Sequence, residues 1–457
     1  MHPIFVTSDA AAVTPIWFVD AETWPKVREG LDSRASAFAD QAGFEPKPGS
    51  LLMAPVESGV VVLFGVEPKS DPNRNAFRPG QLPGLLQSGT YAFANPPEDA
   101  GLAALAFALG SYRFSRYRKP DNKQVRLRLP DGVEGDDLTR IIDGVTLARD
   151  LINTPANDLG PVQLEAAARE VASRHGASFS AIIGDDLLTQ NFPLIHAVGR
   201  AAAGAPRLID LQWGDPAHPK VTLVGKGVCF DTGGLDIKPD NAMLIMKKDM
   251  GGAATVLALA HMVMDRRLKV RLRVLIPAVE NSISGSAFRP LDVYLSRKGL
   301  NVEIGNTDAE GRLILADALA LADEETPDLL IDMGTLTGAA RVALGPELPP
   351  FYTDDEQLAA EVARFASAEN DPVWRLPLWQ PYAAMLDSKI ADLNNVSAGG
   401  FAGSITCALF LKRFVSAKSW LHFDIYAWNP SAKPARPEGG ECQVARALYA
   451  LLAARYG

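Results

Sequence analysis

Short apolar runs alternate with helix-spaced apolar patterns through the chain after residue 152. Runs of about 4–8 apolar residues between polar or glycine residues are typical of buried strands. We predict strands at 208–213, 221–224, 270–276, 329–333 and 421–425. Apolar residues recurring at helical spacing predict helices at 253–264, 313–322, 405–415 and 443–454. This alternation indicates an α/β fold whose mainly parallel or mixed sheet is flanked by helices.

The amino-terminal third has a similar pattern on a smaller scale. The apolar run 59–65 begins and ends with glycine and predicts a buried strand. The Ala- and Leu-rich stretch 102–109 predicts a helix that ends at Gly110. Residues 125–129 alternate apolar and polar side chains, as a half-buried strand does. We therefore expect a smaller α/β domain ahead of the larger one.

A turn-rich acidic segment, 129–137, separates the two patterns and predicts a domain boundary. It is followed by apolar residues at roughly helical spacing up to Ile152, shortly before Pro155. We interpret this stretch as a connecting helix. The predicted organisation is an amino-terminal α/β domain at 1–135, a connecting helix at 136–152 and a catalytic domain at 153–457.

Composition excludes several classes of protein. The 457 residues are 47% hydrophobic and 22% charged, a balance that supports a large buried core. A net charge of -9 argues against a general nucleic-acid binder, which needs clustered cations. The three cysteines form no CxxC pair, so neither a disulfide framework nor a thiolate zinc site is indicated. With no run of 18 apolar residues and no leader-like start, we expect a cytoplasmic protein without a membrane span.

Two glycine-rich segments carry the candidate chemistry. The first follows the 221–224 strand as loop 225–239 and continues to 247–252; the second is 305–312, directly before a helix. Between them they contribute four carboxylates: Asp231, Asp249, Asp308 and Glu310. Four converging negative charges would repel one another, and two divalent cations would balance them. Either loop alone also fits a polar turn, but neither has the order of a phosphate-binding loop or a complete calcium loop.

The same segments resemble the leucine aminopeptidase (cytosol aminopeptidase) family. Asn306 to Leu313, Asn-Thr-Asp-Ala-Glu-Gly-Arg-Leu, is that family's hallmark. Further matching segments are 147–158, 231–234, 238–239, 249–254, 280–281, 335–338 and 392–395. The resemblance spans residues 138 to the end, and the amino-terminal third is similar in general plan and at 110–114. It implies a two-metal exopeptidase.

The resemblance also implies roles for individual residues. Lys226, Asp231, Asp249 and Glu310 would hold the tighter metal ion, and Asp231, Asp308 and Glu310 the exchangeable one. The ions would be Zn²⁺, Mn²⁺ or both, and a metal-activated water would attack the first peptide bond. Lys238 would stabilise the oxyanion, and Arg312 would bind a bicarbonate that shuttles the proton.

Further implied residues would contact a peptide with a free amino terminus. They are Met246, Asn306, Thr335, Leu336 and Gly338, with Met246 in the pocket for the first side chain. A homohexamer is also implied. The chain departs from the family at 426–428, at 439–442 and at Leu291, so a preference for leucine does not follow.

Two other functions stay open on the residues alone. Carboxylate-rich two-metal sites also hydrolyse phosphoesters. An inactive binding or scaffold protein, with DNA as one partner, would retain the fold without the chemistry. All five predicted metal ligands are present, and the acidic composition argues against DNA binding as the main function.

Overall fold

The structure, a computed structural model, describes residues 1–7, 12–119 and 122–457. Its internal contacts divide the chain into two compact units, Met1–Asp143 with Ser431–Glu438 and Gly144–Pro430 with Gly439–Gly457. This division falls inside the helix predicted as a connector, which runs over Gly135–Asn153. The domain boundaries predicted at 135 and 152 remain a proposal.

The first unit is built on a six-stranded sheet. Its strands are β1 (Phe5–Val6), β2 (Thr14–Val19), β3 (Leu51–Val56), β4 (Gly59–Gly65), β5 (Gly89–Phe93) and β6 (Val125–Arg128), in the order β1-β6-β5-β2-β4-β3. Its helices are α1 (Trp24–Gly30), α2 (Ser33–Gln41), α3 (Leu82–Leu85) and α4 (Ala100–Gly110), and α5 (Gly135–Asn153) begins near its end. The strand predicted at 59–65 and the helix predicted at 102–109 are confirmed.

The second unit contains the larger, nine-stranded sheet. The strands of this sheet are β7 (Ser178–Ile183), β8 (Arg207–Trp213), β9 (Lys220–Gly225), β10 (Gly227–Asp231), β11 (Arg271–Asn281), β14 (Leu329–Gly334), β15 (Pro350–Tyr352), β16 (Trp374–Arg375) and β18 (Trp420–Asp424). Short strands form two smaller sheets: β12 (Val293–Leu295), β13 (Asn301–Glu303) and β17 (Leu393–Asn394) in one, β19 (Trp428–Asn429) and β20 (Gly439–Gly440) in the other.

Helices connect these strands. They are α6 (Pro161–His175), α7 (Asp186–Thr189), α8 (Pro193–Gly199), α9 (Asp240–Met243), α10 (Gly251–Arg266), α11 (Gly311–Glu324), α12 (Gly338–Leu344), α13 (Glu356–Ala368), α14 (Gly403–Lys412) and α15 (Ala445–Tyr456). Every strand and helix predicted for this unit is present, with ends that differ by a few residues. The predicted α/β fold, with a mainly parallel or mixed sheet between helices, is confirmed.

The large sheet is parallel at its centre and antiparallel towards its edges. Strands β10, β11, β9, β14 and β18 pair in parallel, whereas β8 and β15 run antiparallel to their neighbours β11 and β18. Helix α10 is buried from Gly251 to Met264, and α11 is buried over most of its length. Both helices contact β9, while α10 contacts α6 and α15 and α11 contacts α8 and α14. The parallel strands are therefore covered by two groups of helices.

The first predicted loop needs one correction. Its opening residues, Gly227–Asp231, form strand β10, which pairs in parallel with the end of β11. Val228 and Cys229 are buried there, and a register shift separates them from Asp231. An irregularity of this kind re-aims the side chain that follows it.

Across the part of the chain that the structure describes, no helix combines the length and the apolar character needed to cross a membrane.

Candidate metal centre

The site lies where several parallel strands of the large sheet end. Asp231 ends β10, Asn281 ends β11, and Thr335 directly follows β14. Lys226 directly follows β9, and its backbone N–H donates a hydrogen bond to the carbonyl of Met333 in β14. Because parallel strands have their carboxyl ends at the same edge, distant parts of the sequence meet here.

Three of the predicted metal-ligating carboxylates converge. Asp231, Asp308 and Glu310 each offer one oxygen atom, and these three atoms lie within 4.8 Å of one another. Asp231 and Glu310 are 2% and 1% exposed, so their charges are largely removed from water. Asp308 is half-buried. The two glycine-rich segments therefore meet, as the charge argument expects.

Lys226 connects the fourth carboxylate to this group. Its Nζ lies 2.7 Å from Oδ2 of Asp249 and 2.9 Å from Oε1 of Glu310. The amine also donates a hydrogen bond of 2.8 Å to the backbone carbonyl of Thr335. The negative charges of all four predicted carboxylates are therefore close enough to act on one another.

Lys238 lies on the Asp308 side of the same cluster. Its Nζ is 2.9 Å from Oδ2 of Asp231, and it also forms an ion pair with Oδ1 of Asp308. Its side chain is 13% exposed, in contrast to 3% for Lys226. Lys238 is therefore the lysine that a molecule entering from solvent can contact.

Hydrogen bonds from neighbouring groups orient the carboxylates. Oδ1 of Asp231 accepts from the backbone N–H of Gly233 and from Nδ2 of Asn281, both at 2.8 Å. Oδ1 of Asp249 accepts from Oγ1 of Thr335 at 2.6 Å. These contacts leave Oδ2 of each residue facing the lysines.

Glu310 carries an oxygen that the described residues do not satisfy. Its Oε2 is buried, and no donor among the described residues hydrogen-bonds to it. A buried carboxylate oxygen without a partner is costly. Burial, with repulsion from Asp231, raises the pKa of Glu310 to about 8. A cation beside Oε2 would remove this cost.

The other charged groups show the same crowding. Burial, together with the negative charge of Asp231, raises the pKa of Asp308 to about 6. Burial alone would raise the pKa of Asp249. The positive charges of Lys226 and Lys248 outweigh burial, so the pKa of Asp249 lies below its usual value. Burial lowers the pKa of Lys248 to about 7. A cluster that shifts several pKa values in this way is typical of functional sites.

Arg312 and Asn306 lie beside the carboxylates at the start of α11. Arg312 is 8% exposed, and its Nη1 donates a 2.8 Å hydrogen bond to the backbone carbonyl of Asn395. Oδ1 of Asn306 accepts from the backbone N–H of Asp308 at 2.7 Å, which fixes the turn that carries Asp308. An arginine at a helix amino terminus offers a favourable place for an anion.

The remaining predicted substrate-contacting residues flank the cluster. Met246 opens a 3₁₀ turn, Met246–Met250, that carries Asp249. Leu336 donates its backbone N–H to Asp424 at 3.0 Å. Gly338 begins α12, which is capped by the side chain of Thr337. The structure thus places these residues on the segments next to Asp249.

Two supporting asparagines were not predicted as site residues. Asn281 bridges Asp231 and the backbone carbonyl of Thr307, while Asn395 holds the loop before α11 through the backbone N–H of Gly305 and the carbonyl of Asn306. Both lie in segments that resemble the family, 280–281 and 392–395. Their position in those segments was the only sequence feature that could have marked them as site residues.

Comparison with known proteins places this arrangement in a family. Residues 146–449 match the cytosol aminopeptidase family, catalytic domain, and residues 14–130 match the M17 aminopeptidase, N-terminal domain. The chain belongs to the cytosol aminopeptidase family. The predicted resemblance is confirmed, and the chain is a metal-dependent aminopeptidase, a hydrolase.

Named relatives match the chain over two thirds of its length or more. A probable cytosol aminopeptidase from Roseiflexus castenholzii is 39% identical over 411 residues, covering 83% of this chain and 84% of the relative. Peptidase B from Pectobacterium atrosepticum is 40% identical over 325 residues, covering 68% of this chain and 74% of the relative.

Solved structures of similar proteins share the fold. The cytosol aminopeptidase from Coxiella burnetii has a TM-score of 0.94 and 46% identity, with 99% of this chain and 100% of that chain covered. The bottromycin maturation enzyme BotP in complex with Mn has a TM-score of 0.86 and 32% identity, with 97% and 100% covered.

Proposed function

We propose that this aminopeptidase releases N-terminal amino acids at the carboxylate cluster, with two divalent ions, Zn²⁺ and/or Mn²⁺. The observation that carries the proposal is the convergence of oxygens from Asp231, Asp308 and Glu310 within 4.8 Å. The buried, unpartnered Oε2 of Glu310 adds to it. BotP, a structural relative, is described in complex with Mn.

The residues present suit two such ions. Lys226, Asp231, Asp249 and Glu310 would hold one ion, and Asp231, Asp308 and Glu310 the other. Oxygen donors suit Mn²⁺, and a lysine nitrogen favours Zn²⁺. Lys226 would act as a neutral amine, because a ligand must give up its proton. When bound, the ions would polarise the scissile carbonyl and supply an activated water.

The protein's own side chains would perform the remaining tasks. Lys238 can donate to the oxygen that gains negative charge in the tetrahedral intermediate, since its amine borders Asp231 and Asp308 and is reached from solvent. Arg312 would hold a bicarbonate ion that takes up and returns the proton. Met246, Asn306, Thr335, Leu336 and Gly338 would bind the peptide's first residue.

The proposed assembly and location follow from the family. We propose a homohexamer on the family resemblance, so sedimentation equilibrium has to give six times the chain mass of 49.0 kDa. A cytoplasmic location rests on the relatives named cytosol aminopeptidases and is tested by cell fractionation.

The test compares peptide and phosphoester hydrolysis in the Mn²⁺-loaded protein. A panel of aminoacyl-p-nitroanilides, including the leucyl, alanyl and glutamyl derivatives, is assayed beside p-nitrophenyl phosphate. We expect turnover of aminoacyl substrates and its loss in Asp308→Ala and Asp308→Asn, because both remove one carboxylate charge. The matched control is Asp387→Asn, which removes an exposed charge elsewhere. Phosphoester cleavage alone, or near-normal aminopeptidase activity in folded Asp308→Ala, would refute the proposal.

A further inference from the structure

Two cations and one aromatic ring form a cluster beside Asp249. Nζ of Lys248 lies 4.6 Å from the centroid of the Tyr426 ring, and Cζ of Arg341 lies 4.9 Å from the same centroid. We call Lys248, Arg341 and Tyr426 the cationic cluster. The cations come from the turn before α10 and from α12, and the ring follows β18.

Neither cation of the cluster forms an ion pair with a described residue, although the charges of Asp249 and Asp424 act on Lys248 from a longer distance. Lys248 is only 2% exposed, yet its amine has no hydrogen bond or ion pair with any described residue. Arg341 likewise has no carboxylate within ion-pair distance in the described ranges. A buried cation without an anion is unfavourable, and the ring faces offset only part of that cost.

The cluster borders the proposed metal centre. Lys248 immediately precedes Asp249, whose Oδ1 accepts from Thr335. On the other side, Ala427 is packed so closely on α10 that a Cβ built on Gly251 would lie 2.2 Å from Cβ of Ala427 and 3.5 Å from Cγ2 of Thr335. Tyr426 is therefore held against the segment that carries Asp249.

Backbone contacts fix the ring in place. The N–H groups of Tyr426 and Ala427 both donate to Oε1 of Gln443, at 2.9 and 3.0 Å. Nε2 of Gln443 donates to the carbonyl of Pro346 at 2.8 Å. Ala427 has φ 58°, in the left-handed region, so this turn is held by its surroundings. These bonds fix the backbone that carries the Tyr426 ring, beside which Lys248 and Arg341 lie.

We propose that the cationic cluster binds the side-chain carboxylate of an acidic N-terminal residue, so that the enzyme prefers peptides that begin with Glu or Asp. The inference rests on the proposed function. An aminopeptidase must hold the terminal residue at its metal centre, and the cationic cluster borders the proposed centre beside Asp249. A substrate carboxylate there would give Lys248 and Arg341 the ion-pair partner that they lack among the described residues.

The experiment measures kcat/KM for glutamyl, glutaminyl, aspartyl, leucyl, alanyl and lysyl p-nitroanilides with Mn²⁺-loaded wild-type protein. Glu and Gln have nearly the same shape, so their ratio isolates the charge. We expect the glutamyl substrate to exceed the glutaminyl one by on the order of tenfold to a hundredfold, the range for a hydrogen bond to a charged group. The lysyl substrate should be the poorest.

Three variants locate the effect. Lys248→Met and Arg341→Met should each lower kcat/KM for the glutamyl substrate more than for the glutaminyl and leucyl substrates, so that the ratio of glutamyl to glutaminyl kcat/KM falls. Arg341→Lys should retain part of the ratio. Lys298→Met, which removes an exposed lysine elsewhere, is the matched control and should leave it unchanged.

Each outcome decides between the two proposals. Equal kcat/KM for the glutamyl and glutaminyl substrates overturns the inference but leaves an aminopeptidase. A preference for the alanyl substrate does the same, because it would show that the Tyr426 ring only limits the size of the first side chain. A fall in all substrates together in both methionine variants also overturns it, because a structural role predicts that result. Failure of every aminoacyl substrate, leucyl and alanyl included, refutes the proposed function itself.

Discussion

Asn281 holds one of the proposed metal-binding carboxylates from the end of a neighbouring strand. Its Nδ2 donates to Asp231 at 2.8 Å and to the carbonyl of Thr307 at 3.1 Å, and the side chain is fully buried. It therefore ties β10 to the loop that carries Asp308. Outer groups of this kind orient metal ligands.

Asn281→Ala should weaken metal binding without unfolding the protein. Asp231 then loses one of the two donors that orient its Oδ1 and keeps the backbone N–H of Gly233. We therefore expect Mn²⁺ affinity to fall roughly 10–100-fold. Isothermal titration calorimetry measures it directly, with Ser284→Ala, an exposed position in the next loop, as the control. Unchanged affinity would show that Asp231 does not depend on this amide.

For single residues, the sequence predicts candidate metal ligands better than the residues that orient them. Asp308 and Glu310 stand in a recognisable motif, and carboxylates are common metal ligands. The contact between Asn281 and Asp231 depends on β10 pairing with β11, whose residues are 50 positions apart. No local pattern encodes that pairing.

Helix α11 carries a buried carboxylate, Asp317, that holds the start of α8. Oδ2 of Asp317 accepts the backbone N–H groups of Leu194 and Ile195 at 2.8 and 3.4 Å, and Oδ1 accepts that of Arg297 at 2.8 Å. Asp317 thus caps the amino end of α8 from a different helix. Burial raises its pKa to about 7, so the carboxylate is ionised at pH 8.

Asp317→Ala should be strongly destabilising. Three backbone donors lose their acceptor in a buried place, and we expect the free energy of unfolding to fall by about 3 kcal/mol or more. Urea unfolding at pH 8 measures the loss. Glu324→Ala, which removes a partly exposed ion pair to the side chain of the same Arg297, should cost less than about 1 kcal/mol. Similar losses in both variants would contradict this account.

Elements with a strong internal pattern were predictable, and elements defined by pairing were not. Helices α10 and α11 are long and apolar, so their spacing reveals them. Strand β10 was taken as loop because glycines surround it, yet it pairs with β11. The prediction for β11 stopped at Ile276 before Pro277, whereas the strand continues to Asn281. Strand β1 contains only two residues, too few for a local signal.

Across the whole second unit, two histidines join helices from distant parts of the chain. Nε2 of His175, at the end of α6, lies 2.9 Å from Nδ1 of His261 in α10. Burial lowers the pKa of His175 below its usual 6.5; Asp265 opposes this shift and Arg174 adds to it. The contact therefore favours the uncharged ring.

Acidification should destabilise the protein through this pair. Below pH 6.5 the unfolded chain binds a proton at His175 that the folded chain resists, so the free energy of unfolding falls as the pH drops from 6.5 towards the lowered pKa. Urea titrations across this window should show a shallower decline in His175→Gln than in the wild type. Identical slopes would exclude His175 as the source.

The overall class of fold was predictable because alternating elements leave few arrangements. The antiparallel strands β7, β8 and β15 were not, since direction in a sheet depends on the connections between strands. The grouping of Ser431–Glu438 with the amino-terminal unit also has no local signature.

Without metal ions, Lys226 and Lys238 supply positive charge to the four carboxylates of the site. Each amine contacts two of the four acids, so the polypeptide can close around its future reaction centre before any inorganic ion arrives. Metal loading would then be an exchange, in which the lysine contacts are given up to the ions. Folding would not have to wait for the metal, and activation would follow it as a separate step.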